Sequence, residues 1–235
     1  MFKILAASGT LVIATLFFLG FFSVQNRAKI EELEKSPERG KLVWHSQMAK
    51  AKGRQNVLLD STIVDYAVPR SLETALANYH LVVAEPVSSR SYAATYNVHT
   101  WYKFRIVEEL STPNIPCVDC FSLVGPPEDL LPLESNEFLS AQLGGEATVD
   151  GISIKSTDAS FPNFEIGQRY LLLVAFDENR IIGKLSSGPW GAFVVNSSDS
   201  LEPINSRLKH PFRERLSAQF GNSLHSLRAA LRTRK

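Results

Sequence analysis

The stretch His99-Thr100-Trp101-Tyr102-Lys103-Phe104-Arg105-Ile106-Val107-Glu108-Glu109-Leu110 decides the fold class of this 235-residue chain. Tyr102, Phe104 and Ile106 alternate with Lys103 and Arg105, the period of two that turns one side of a strand to a core and the other to water. Upstream, Leu81-Val82-Val83-Ala84 is a β-like apolar run whose end is marked by Pro86. Downstream, strands are predicted at Phe121 to Val124, Ala147 to Ile154, Tyr170 to Phe176, Ile181 to Leu185 and Ala192 to Val195, with Gly, Pro, Asn and Asp clusters between them. Ser71 to Tyr79 predicts a short helix, with Ser71 as N-cap and Leu72 and Leu76 on one face. Many short strands with little helix among them imply a mainly β domain, an antiparallel barrel or sandwich.

Within it, the run Tyr170 to Phe176 is expected to be buried on both faces of a closed barrel, against aromatic residues such as Tyr102 and Phe104. Gly167 supplies a turn conformation just before it.

The N-terminus reads differently. Ile4 to Phe22 is nineteen residues without a charge, eleven of them Leu, Ile, Val or Phe. As a helix it would span roughly 28 Å, the thickness of one bilayer crossing. A cleaved secretory signal is the competing reading, but Leu19-Gly20-Phe21-Phe22 lacks the small residues of a cleavage site. An uncleaved anchor over 1–22 is therefore expected, making the chain a single-pass membrane protein. Residues 23–68 read as a polar, partly helical stalk, with Arg27, Glu31 and Lys35 spaced four apart and a thin seam at Ile30 and Leu33. The β domain follows over 69–200, and 201–235 carries a helix. Arg27, Lys29, Lys35, Arg39 and Lys41 beside the anchor argue for a cytoplasmic domain, whereas the domain's character argues for the extracytoplasmic, periplasmic side, which is the expected address.

A formal net charge of +1 hides an asymmetry. From Arg207 to Lys235 eight basic residues stand against Glu214 alone, leaving +7 there and −6 elsewhere. Phe212, Leu216, Phe220, Leu224, Leu227 and Leu231 recur at helical spacing among the arginines, so one basic amphipathic helix is expected. Packing on the β domain is the favoured role over lying on an anionic membrane surface, and a nucleic-acid partner is the least favoured use of its charge.

Residues able to carry chemistry are few. Cys117-Val118-Asp119-Cys120 has the spacing of a small disulfide loop, a redox pair or half a metal site. Outside the cytoplasm a structural disulfide between Cys117 and Cys120 is expected, contributing only about 2 kcal/mol through so short a loop. His45, His80, His99, His210 and His225 are scattered without ligand spacing, so no metal site is expected, and no cofactor motif is present. Glu108 and Glu109 are adjacent on a strand and point to opposite faces, which spoils them as a catalytic carboxylate pair. Trp101 and Trp190 are expected in the core rather than at a ligand. No catalytic residue is assigned.

Leu72-Glu73-Thr74-Ala75-Leu76 before Leu81-Val82-Val83, then Thr100 to Ile106, Gly144-Gly145, and Phe164-Glu165-Ile166-Gly167-Gln168-Arg169-Tyr170-Leu171-Leu172-Leu173 form an ordered series. It resembles uncharacterised exported or membrane-anchored bacterial proteins, often acidobacterial, and is more remotely similar to netrin-like modules and tissue inhibitors of metalloproteinases. That resemblance, over about residues 70 to 196, implies an oligonucleotide/oligosaccharide-binding (OB) barrel and transfers no catalytic residue. The inhibitors act through a disulfide-tied N-terminal cysteine, and this chain begins with an apolar segment instead. The expected function is a membrane-anchored interaction module whose partner is an envelope protein or a glycan. A thiol-disulfide redox protein is the alternative, and an inward-facing protein with a basic tail for nucleic acid or anionic lipid is another.

Overall fold

Two long strands, β2 (His80–Ala93) and β3 (Val98–Ser111), pair antiparallel and form the spine of the molecule. The structure, a computed structural model, describes residues 25–60, 68–113, 126–185, 187–209 and 211–233. The expected anchor at 4–22, the strand at Phe121 to Val124 and both cysteines lie outside them. No helix among the described residues is long and apolar enough to cross a membrane.

Helix α1, over 25–34, and α2 (Leu42–Ala51) precede a short β1 (Asn56–Asp60). Helix α3 (Leu72–Asn78) leads into β2, and its N-cap is the expected one, with Ser71 Oγ accepting from Thr74 N–H at 3.2 Å. After β3 come β4 (Glu137–Leu143), β5 (Gly145–Val149), β6 (Ile152–Thr157), β7 (Arg169–Phe176), β8 (Gly183–Lys184), β9 (Ala192–Val195) and β10 (Leu201–Pro203). The chain closes with α4 (Pro211–Phe220) and α5 (Leu224–Arg232).

The large sheet is antiparallel with strand order β10-β9-β7-β2-β3-β4, and β8 pairs with the end of β7. It is not the closed barrel that was expected. Its edge strand β4 meets the segment before β8 by a single bridge, Leu139 to Ile182, and no ladder develops there. Burial of β7 on both faces is correct, but helices cover one face and an aromatic core held by strands and a loop covers the other. Leu171 and Leu173 share a cluster with Leu72 and Ala75 of α3 and with Phe212, Leu216, Leu224, Leu227 and Leu231 of the last two helices. Tyr170, Leu172, Val174 and Phe176 face an aromatic core with Tyr102, Phe104, Phe138 and Phe164. The ladder neighbours of β7 are β2 and β9, so Tyr102 and Phe104 meet it through the core, where the Phe164 ring touches Tyr102, Phe104 and Tyr170 at 4.9 to 5.3 Å.

Four local readings are corrected. Pro86 does not end its strand: the β2 register shifts between Pro86 and Ser88, and such an irregularity tolerates a residue without an N–H. Ala147 to Ile154 is a hairpin, because Asp150 and Gly151, at φ 49° and 77°, form a two-residue turn between paired Val149 and Ile152. The single C-terminal helix is two, broken where Gly221 and Asn222 take φ 59° and 56°. Its expected packing role holds, since Leu224, Leu227 and Leu231 are buried. Finally, 42–60 is not a free stalk. Leu42 and Ala49 of α2 and Val57 and Leu59 of β1 pack with Val98, Ile152 and Ile154, and β1 pairs parallel with β6 in a small sheet, β1-β6-β5.

Arg213 ties α4 to the sheet. Buried at 6% exposure, it donates to the carbonyls of Asn205, Leu208 and Pro189 at 2.5 to 2.9 Å and sits over the Phe193 ring. Burial pushes its guanidinium down to about 10, which still leaves it charged at neutral pH.

Candidate functional site

The end of β3 concentrates the charge of the molecule. Glu108 and Glu109 pair across the ladder with Val83 and Val82 at the start of β2, and their alternation sends the two carboxylates to different sets of partners.

Glu109 meets the side where β7 ends. His80 Nδ1 lies 2.6 Å from its Oε1, Arg180 donates to Oε2 at 3.0 Å and the Thr112 hydroxyl to Oε1 at 3.1 Å. The Phe176 ring braces the cluster, edge-on to His80 at 4.8 Å and under the Arg180 guanidinium at 4.7 Å. Burial pushes the Glu109 carboxyl up, but the hydrogen bonds from His80 and Arg180 outweigh it and hold the group below the usual carboxylate range.

Glu108 meets α5. Arg228 donates to it through Nε at 2.8 Å and Nη2 at 2.6 Å, and through Nη1 to Asp199 at 2.7 Å. These hydrogen bonds, that to Glu108 first, raise the guanidinium above its already high ordinary value. The same Asp199, at φ 58° in the turn before β10, accepts the Leu224 N–H at 2.9 Å, so one residue fixes both the start of α5 and its arginine. Ser223 caps the helix by accepting from Ser226 N–H. His225, Arg228, Ala229 and Arg232 recur at three- and four-residue spacing on a face of α5 that adjoins its leucine stripe. With Glu108 they line an open groove of about 390 Å³.

Chemically, Glu108 and Arg228 in this groove are engaged with one another, while Arg232, which also lines it, forms no ion pair among the described residues. The arrangement suits recognition of anionic or hydroxyl-rich groups.

Trp101 is buried with Leu130 and Leu139, as expected. Gly144 and Gly145 form the corner between β4 and β5. Among the described residues, no group of three His, Cys, Asp or Glu is placed to hold a metal ion. Cys117, Cys120 and His210 lie outside them. The residues that sequence reading missed are His80, Arg180, Asp199 and Arg228. They come together across 29 to 120 positions of chain, and nothing local announces such a meeting.

Comparison of the chain with protein-family models, with curated proteins and with solved structures finds no match.

Proposed function

We propose that this chain is a non-enzymatic binding module, tethered to a membrane by residues 4–22 and displayed on the extracytoplasmic side, which takes its partner in the groove between α5 and the end of β3. The groove carries this reading: Glu108 and Arg228 in it are paired with each other, and it is also lined by His225 and Arg232, side chains able to donate to an acidic ligand. The partner is an envelope protein with an acidic segment or an acidic glycan. The nineteen-residue uncharged run and the resemblance to exported, anchored bacterial proteins support the address. A basic tail for nucleic acid is less favoured, because Arg213 and Arg228 are committed to internal partners and Arg215 donates to the Arg70 carbonyl.

Protease accessibility in cells, with alkylation of Cys117 and Cys120 in the same samples, tests the address. Digestion once only the outer barrier is opened, with both thiols blocked until reduction, is the expected result. Protection until the inner membrane is broken, with both thiols freely alkylated, would overturn it. The groove is tested with the full chain in detergent micelles against acidic and neutral oligosaccharides and acidic peptides. Binding should favour the acidic members and fall at least about tenfold in Arg232→Glu.

A further inference from the structure

The small sheet β1-β6-β5 has one open side. Its β5 edge lies against β2, whereas β1 pairs with β6 alone among the described residues. Val57 and Leu59 of β1 pack inward on Val98, Ile152 and Ile154, and Asn56, Leu58 and Asp60 face outward. Leu58 is 66% exposed, more than any other large apolar side chain among the described residues. The Ser153 N–H donates to the Gln55 carbonyl at 3.1 Å, which fixes the direction of the parallel ladder, so Gln55, Val57 and Leu59 turn their backbone groups to β6. Asn56, Leu58 and Asp60 therefore point theirs to the free edge, where no described residue pairs with them.

Room for a further strand lies along that edge. An open groove of about 540 Å³ is lined by Ala49 and Lys52 at the end of α2, by Arg54, and by Asn56, Val57 and Leu58. Charge is divided between the two ends of the edge. Lys52 and Arg54 stand at its start and Asp60 at its end, and none of the three forms an ion pair among the described residues. Sheet edges are commonly blunted by a proline or an inward-pointing charge, and β1 carries neither.

We propose that β1 pairs antiparallel with β1 of a second copy of this chain, joining the two three-stranded sheets into one continuous sheet across a two-fold axis. With Leu58 on the axis, Leu58 faces its own copy and Asn56 faces Asp60. All of these turn their N–H and C=O groups to the free edge, so each facing pair exchanges both backbone bonds. The exposed leucine is covered by its twin. Asp60 of the second copy then arrives at the Lys52 and Arg54 end of the edge, within reach of those long side chains, and the symmetry makes the contact twice. A parallel copy would instead set Arg54 beside Arg54 and Asp60 beside Asp60, and an acidic strand of another protein would meet Asp60. Self-complementarity selects a second copy. Pairing through five residues is small, at or below about 1,200 Å² of buried surface, so the dimer is a reversible one. None of its residues lines the α5 groove, so this proposal and the binding proposal are tested apart.

Sedimentation of the full chain in density-matched detergent micelles, over a wide range of protein concentration, gives the dimer dissociation constant. Arg54→Glu and Asp60→Lys should each raise it at least about tenfold, since either change sets like charges against each other at both ends of the pairing. An equimolar mixture of these two variants should dimerise as the unmutated chain does, because each carries the charge that the other lacks. Leu58→Pro should also raise the constant at least about tenfold, and because the lost N–H faces the free edge and not β6, its circular dichroism should match the unmutated chain. Should the proline disturb the fold, the two charge variants and their rescue by mixing decide alone. An unmutated chain that stays monomeric would overturn the proposal and leave the edge to a strand of another protein. Dimers that every variant retains would place the association elsewhere in the chain and overturn it as well.

Discussion

Arg228 of the last helix and Glu108 of β3 meet at 2.6 Å across 120 residues of sequence. The contact joins the C-terminal helix to the spine of the sheet, and Asp199 extends it to the turn that starts the helix. Arg228→Ala should destabilise the fold more than Glu108→Ala, because it removes a partner from two carboxylates, leaving Glu108 alone and Asp199 with only Arg169 at 3.6 Å. With all three groups partly exposed, the Glu108 to Arg228 coupling is expected at about 1 kcal/mol, falling with added salt. A double-mutant cycle in urea at low and high salt checks this, and a coupling of zero at low salt would refute it.

Removing the buried cation of α4 should be more damaging. Arg213→Ala leaves the Asn205, Leu208 and Pro189 carbonyls without their donor, an expected loss of about 2 to 4 kcal/mol. Arg213→Lys should recover less than half of it, since one ammonium cannot reproduce the planar fork. Urea midpoints of the three proteins decide the matter, and full rescue by lysine would show that only charge counts.

Acid should weaken the cluster around Glu109. Its carboxyl titrates below the ordinary 4.5, so its contribution is fully present above that value and is lost as the pH falls through the lower, folded-state value. The group is partly exposed, and the effect belongs in the range of about 0.2 to 1 kcal/mol. Stability measured from pH 6 down to pH 3 should fall less steeply in Glu109→Gln than in the unmutated chain.

Two glycines of positive φ should respond unequally to alanine. At Gly145, φ 120°, a Cβ would come within 2.2 Å of Thr100 Oγ1 and 2.4 Å of Ser91 Oγ, two hydroxyls already hydrogen-bonded to each other. At Gly151, φ 77°, it meets open space. Gly151→Ala should therefore cost about 1 kcal/mol of backbone strain, and Gly145→Ala about 2 kcal/mol or more from strain and overpacking together. Equal losses in thermal unfolding would count against the corner geometry.

Phe164 is the hub of the aromatic core, with ring contacts to Tyr102, Phe104, Phe161 and Tyr170. Phe164→Ala should cost about 3 to 5 kcal/mol, against about 1 kcal/mol or less for Ile166→Ala two residues on, where the side chain is 54% exposed. Chemical denaturation of both variants gives the comparison.

Much of the fold is legible in local patterns. Tyr102 and Phe104 alternate with Lys103 and Arg105 because a strand can bury only one side against a single core, and β3 forms where that alternation lies. Ser71 caps α3 because its own hydroxyl, three residues from Thr74, needs nothing distant to do so. The Asp150-Gly151 turn was also present locally, but the apolar residues on either side of it, Ala147, Val149, Ile152 and Ile154, read together as one strand. The continuous run Tyr170 to Phe176 announced burial on both faces without saying what would cover them, since helices and a closed barrel remove the same surface from water. Only the tertiary structure decided that α3, α4 and α5 cover one face and the aromatic core around Phe164 the other, and that α2 and β1 belong to the folded domain. The candidate site was decided there as well: Glu108 with Arg228 and Glu109 with His80 depend on strand register and on where a helix lands. Side-chain periodicity is a property of neighbours in sequence, whereas a hydrogen bond spanning 120 residues exists only once the chain has closed around it.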